Sequence, residues 1–129
     1  MLLEILIERW TAIMWIVFGL SHALYPKRWT DLLIPLRDRE TGGLLIGAYT
    51  LPVGLVTILG HNVWGWRIAT IVTLFGWFAT IKGLAYLLLP RAHRNVMPSE
   101  SKAIFGFRAA GITMVALGTL VAYDAFWVN

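Results

Sequence analysis

From Thr41 to Trp66 the chain runs 26 residues without a charged side chain. A helix needs only about 20 apolar residues to cross a bilayer. A barrel strand would be shorter and would alternate, so continuous apolarity on this scale predicts a membrane-spanning helix. Three further apolar segments run roughly from Ile5 to Tyr25, from Arg67 to Leu89 and from Ala103 to Phe126. Composition agrees, with 58% hydrophobic and 14% charged residues. A soluble domain carries about 25% charged residues, so this chain has too little charge to cover a water-facing surface. The expected fold is all-α: a polytopic membrane protein with four transmembrane helices, arranged as two parallel-repeat helical hairpins. One transmembrane domain fills residues 1–129, leaving no room for a soluble one. The N-terminus carries Glu4 and Glu8 where a secretory signal has Lys or Arg, and no A-x-A site follows. The first helix is therefore expected to be retained.

Charge distribution sets the orientation. The net charge is +4, which in a soluble protein would suggest nucleic acid; here it belongs to cationic loops on one membrane face, and no nucleic-acid partner is expected. Lys27, Arg28, Arg37 and Arg39 lie in the first connection, and Arg91, Arg94, Lys102 and Arg108 in the third. The opposite side offers only Arg9 and Arg67. Basic loops stay cytoplasmic, so both termini and the His61–Trp66 turn are expected outside. Trp10, Trp64, Trp66 and Trp127 would then mark the outer interface, with Tyr25, Trp29 and Tyr86 toward the inner one.

A shift of 64 residues aligns the chain with itself without a gap. It pairs Gly19 with Gly83, Leu20 with Leu84, Leu24 with Leu88 and Pro26 with Pro90. Gly42, Gly47 and Gly54 then fall on Gly106, Gly111 and Gly118, and Lys27 on Arg91. An offset of two helices implies a parallel repeat, with copies over about 5–61 and 66–126.

The first copy resembles a family of short two-helix bacterial inner-membrane proteins of unknown function. Gly19, Leu20, Leu24, Tyr25, Pro26, Lys27, Trp29, Gly43 and Gly47 carry the likeness over about forty residues. Phe18 stands where that family has an acidic residue, and the second copy has Lys82 and His93 at departing positions. The resemblance implies a fused double of a hairpin in a bacterial inner (plasma) membrane, and it brings no activity with it.

Glycines recur at seven-residue spacing: Gly47 and Gly54, Gly76 and Gly83, Gly111 and Gly118, with Gly43 adding a GxxxG. Such spacing puts them on one helix face, where backbones can approach closely without help from a hydrophobic effect. They are the expected helix-packing and interaction residues.

Few polar groups could carry chemistry. His22 lies in the last turns of the first helix and is read as a hydrogen-bonded interface histidine, with haem ligation the alternative. His61 and His93 are placed in loops at helix ends. Lys82 is the basic residue well inside a span, able to snorkel, to pair internally or across subunits, or to bind substrate. Arg108, at the entrance of the fourth helix, is more easily solvated. Asp124 and Arg67 are near enough in depth to pair. All seven carboxylates are placed near helix ends or in loops, away from the midplane position an ion-coupled carrier uses. There is no cysteine, which excludes disulfides and thiol chemistry. No phosphate loop, nucleophile elbow, acid–base pair or zinc spacing is present. The expectation is a non-catalytic accessory or scaffold subunit without a cofactor, in the lipid bilayer with other membrane protein subunits or as a homo-oligomer. The alternatives are an oligomeric carrier or channel for a small or lipid-like solute, and a cofactor-binding redox subunit.

Overall fold

The computed structural model describes residues 2–89 and 91–129, and every regular element among them is helical. Pro90, half of the predicted Pro26–Pro90 correspondence, lies outside the described residues. In order come α1 (Leu2–Leu24), α2 (Pro26–Asp38), α3 (Gly42–Gly60), α4 (Ala69–Leu88), α5 (Ala92–Val96) and α6 (Glu100–Tyr123). A π-helical end, Asp124–Val128, continues α6. Among the described residues three helices are long and apolar enough to cross a membrane: α3, α4 and α6 with its continuation. Glu4, Glu8 and Arg9 dilute the apolar character of α1, although its 23 residues match a span in length.

Local chemistry explains the boundaries. Pro26 lacks an N–H and cannot extend α1, yet it suits the first turn of a helix. The chain therefore turns at Tyr25 and starts again as α2. The first basic connection, expected as a loop, is mostly this helix. Its Trp29 Nε1–H donates to Ser21 Oγ at 2.9 Å, tying α2 to the end of α1. The third connection also contains a short helix, and α6 starts at Glu100 rather than near Ala103. Between α3 and α4, Gly65 adopts φ +127°, a conformation that L side chains rarely reach.

Two antiparallel seams hold the bundle together: α1 packs along α6, and α3 along α4. The glycines lie inside both. A Cβ on Gly111 would sit 2.8 Å from His22 Cβ and against Ala23 N and Gly19 O, while one on Gly118 would press on Ile16 and Trp15. Across the other seam, a Cβ on Gly47 would meet Leu87 Cγ at 2.8 Å and Gly83 O at 3.1 Å. Gly54 faces the Thr80 backbone, Gly76 faces Thr57, and Gly83 faces the Leu51 backbone. Contact between α1 and α3, the helices of the first predicted hairpin, is slight by comparison. Trp15 and Phe75, with ring centroids 5.1 Å apart and edge to face, join the two seams across α1 and α4. Ile7, Ala12, Val72 and Val121 complete that core.

Candidate functional site

The seam ends gather the polar side chains. At the N-terminal end of α1, Glu8 lies two turns into the helix and faces inward, 4% exposed. Its Oε1 accepts a hydrogen bond from His61 Nε2 at 2.9 Å. His61 is fully buried where α3 stops, its own backbone N–H bonded to Thr57 O. On its other side, Nδ1 is 2.9 Å from the hydroxyl of Thr73 on α4. That hydroxyl also accepts from Val63 N–H at 2.9 Å, pinning the connection that follows α3. Three helices thus meet in a line of hydrogen bonds running from Glu8 through His61 and Thr73 to the Val63 backbone. Glu8 Oε2 and the hydroxyl of Thr11, one turn further along α1, are buried without a partner among the described residues. Beside this line, Arg9 turns away: its Nε–H donates to Ala125 O at 3.0 Å, and its guanidinium lies over the Phe126 ring.

The opposite, basic end is organised by two other imidazoles. His22 Nδ1–H donates to Phe18 O at 2.7 Å. Its ring stacks on Trp29 with centroids 4.1 Å apart and touches Phe107. His93, on α5, is buried against Gly43 and Tyr86 and donates from Nε2 to Arg39 O at 2.9 Å. Arg94 donates to Asp38 O at 2.8 Å, and Arg91 pairs with Glu40 at 3.0 Å on the surface. The Arg91 guanidinium, first by its hydrogen bond and then by its charge, holds the Glu40 carboxyl below the ordinary value of 4.5. Two open clefts flank this end. One, of about 390 Å³, is lined by Ser21, Tyr25, Arg28, Trp29 and Leu32. The other, about 200 Å³, lies between Glu40, Leu44, Tyr86 and His93.

The predicted residues fall into three groups. Gly43, Gly47, Gly54, Gly76, Gly83, Gly111 and Gly118 are all buried in contacts within the chain. His22 is half-buried and committed to Phe18 O and Trp29. Lys82 is half-buried with its Nζ 5.5 Å from the Tyr86 ring centroid, so it leans toward the basic end. Arg108 is exposed. Tyr86 is buried among α3, α4 and α5, at the basic end. One placement is corrected. Asp124 accepts from Asn129 Nδ2 at 3.2 Å and does not pair with Arg67.

The Glu8–His61–Thr73 line was not anticipated. Sequence order sets Glu8 and His61 fifty-three positions apart, and only tertiary packing joins them. One signal existed: Glu8 and Thr11 share a face of α1 with Ile7, Ala12 and Trp15, and that face is the buried one. Among the described residues, no group of three or more His, Asp or Glu side chains is placed to hold a metal ion. Comparison with protein families, with characterised proteins and with solved structures yields no match to this chain.

Proposed function

We propose that the protein is a non-catalytic integral membrane subunit that works through its lipid-facing exterior. In this reading it crosses the membrane four times, with both termini outside the cytoplasm, and associates with other membrane subunits or with its own copies. One observation carries the proposal. The glycine faces and most polar side chains are used up inside the chain, whereas α6 leaves large apolar groups outward along its whole length. Phe105 is 78% exposed and Trp127 77%, with Ile112 and Leu120 between them. The available working surface is therefore the outside of the bundle, not its interior.

The four-span architecture rests on equivalent contacts as well as on α1's length. Gly47 meets Gly83, Tyr86 and Leu87; Gly111 meets Gly19, His22 and Ala23. Each member of one set lies 64 positions from a member of the other. Gly54 with Thr80 and Gly118 with Ile16 repeat the relation, as do the ring pairs Tyr86–His93 and His22–Trp29. Such a correspondence supports a tandem duplication in which each copy's first helix packs on the other copy's second, about an axis along the membrane normal. The eight cationic residues of the first and third connections support the orientation.

A second reading, an oligomeric carrier for a small or lipid-like solute, draws on Lys82 and on the buried Glu8, since ionisable groups within a span often line transport paths. Purification in mild detergent with crosslinking separates the two. A subunit should co-purify with a partner or as a defined oligomer, should lose that association in Phe105→Ser and Ile112→Ser, and should tolerate Lys82→Met. A protein that releases a trapped solute from vesicles, and in Lys82→Met stops doing so while keeping its assembly, would replace the subunit reading with the carrier.

A further inference from the structure

We propose that Glu8 and His61 form a proton-binding site, in which a single proton taken from solvent neutralises the buried charge of the hydrogen-bond line through Thr73. This goes beyond the subunit reading and does not depend on it. The argument starts from counting donors. A carboxylate can only accept, an imidazole can hold a proton on either or both ring nitrogens, and a hydroxyl has a single hydrogen. His61 Nε2 must donate to Glu8 Oε1 when the carboxylate is ionised. The Thr73 hydroxyl already accepts from Val63 N–H and keeps its own hydrogen to give. In the unprotonated state that hydrogen points to His61 Nδ1 at 2.9 Å, leaving a neutral imidazole beside an anion.

That state buries one net negative charge. The Glu8 and His61 side chains are 5% and 0% exposed, and Glu8 Oε2 has no partner. A lone buried charge is strongly unfavourable, so such a site tends to neutralise itself. Adding a proton at His61 Nδ1 does this with almost no movement of heavy atoms. Nδ1–H now donates to Thr73 Oγ1, the hydroxyl hydrogen rotates away, and Val63 N–H keeps its acceptor. Alternatively the same proton rests on Glu8, at the buried Oε2 that has no partner among the described residues. Either way the balance is one proton gained and the net negative charge brought to zero.

Among the described residues, the surrounding charges do not supply that compensation by themselves. On α1, Arg9 directs its guanidinium to Ala125 O and Phe126, and Glu4 lies one turn earlier. No titratable side chain other than His61 stands at the end of α3, and Arg67, ahead of α4, is exposed. At the π-helical end, Asp124 is engaged by Asn129. The proton also has a mechanical consequence. Glu8 belongs to the α1·α6 pair, while His61 and Thr73 belong to the α3·α4 pair, so the line clasps two units whose mutual packing is otherwise thin.

The test is ¹⁵N-histidine NMR on the full chain in lipid nanodiscs, titrated over about pH 5 to 8, where imidazoles ordinarily change charge. His61 should pass from an Nε2–H tautomer to a doubly protonated ring, or keep its tautomer while a carboxylic C=O infrared band of Glu8 appears. Glu8→Gln retains an acceptor for Nε2–H and removes the buried charge, so it should abolish both changes. If that variant fails to fold, Thr73→Val in the same titration serves instead. It deletes the Nδ1 partner and should shift the transition while leaving His22 and His93 unmoved. A His61 ring that stays in one tautomer, with no carboxylic acid band, overturns the site. So does a transition unchanged in Glu8→Gln or Thr73→Val.

Discussion

Along the α1·α6 seam, Gly111 rests on Gly19 O and Ala23 N; along α3·α4, Gly47 rests on Gly83 O and Leu87. The two seams are closed by the same kind of contact, a glycine set against the opposing backbone. Their side chains differ at positions 64 apart: Glu8 and His61 in the first half of the chain, Val72 and Ala125, both fully buried and apolar, in the second. Where the second half places hydrocarbon, the first places a carboxylate and an imidazole, which the hydroxyl of Thr73 extends. Backbone proximity leaves little freedom along the seam, because a Cβ on Gly54, Gly83 or Gly111 meets main-chain atoms. At the ends side chains meet side chains, and compatible polar or apolar sets can replace one another. Close packing therefore sets the architecture, and the ends are where this chain acquires chemistry.

The largest effect should come from breaking that polar end on one side only. His61→Leu leaves the Glu8 carboxylate buried and unpaired, which typically costs about 3–5 kcal/mol. Glu8→Leu combined with His61→Leu removes both partners at similar volume, and such replacements are often close to neutral. The double variant should therefore be more stable than His61→Leu, as read by thermal unfolding in detergent and assembled into a double-mutant cycle. Equal or greater loss in the double variant would mean that the polar line is not a self-contained unit and that the comparison with Val72 and Ala125 fails.

Next in size is the seam itself. Gly111→Leu forces a side chain into the backbone of α1, and overpacking of this kind costs about 1–3 kcal/mol, occasionally more. Gly47→Leu should cost less, because its nearest neighbour is a side-chain atom, Leu87 Cγ, and the nearest backbone atom, Gly83 O, lies at 3.1 Å. Gly106, opposite Gly42 in the 64-residue register, is the control. A Cβ there meets nothing within 4 Å, so Gly106→Leu should leave the unfolding midpoint unchanged. A ranking of Gly106→Leu above Gly111→Leu would show that these glycines do not close the seams.

How far the sequence reaches is clear from these same residues. The apolar lengths of α3, α4 and α6 are written in long runs with few charges, and the seven glycines singled out by spacing all lie in packed contacts. Both are properties of a single helix, readable from spacing. What sequence order hides is which helix faces which: α1 pairs with α6 across almost the whole chain, and the Glu8–His61 contact exists only because of that arrangement. Glu8 reads as a terminal charge when counted along α1. It becomes a buried group once the end of α3 closes over Ile7 and Leu3, which a Cβ on Gly60 would touch. α2 was obscured by its basic residues, which signal a loop by charge although Pro26 at its first turn and the Lys27–Asp31 pair favour a helix.

The smallest effect contrasts the buried acid–base pair with the exposed one. Glu40 and Arg91 meet at 3.0 Å with side chains 72% and 63% exposed, so water screens most of their attraction. Because Arg91 holds the folded-state carboxyl below 4.5, the pair favours folding once Glu40 is ionised in both folded and unfolded chains. That contribution is present above the ordinary carboxylate value and is lost as pH falls through the lowered one. The wild type should therefore unfold slightly later than Glu40→Gln near neutral pH. The gap should close toward acid and shrink in high salt. Glu8→Gln compared in the same way should respond far less to salt, since its partner lies out of reach of solvent ions. If the two variants show the same salt dependence, the His61 end is as open to water as the basic end, and the distinction between them disappears.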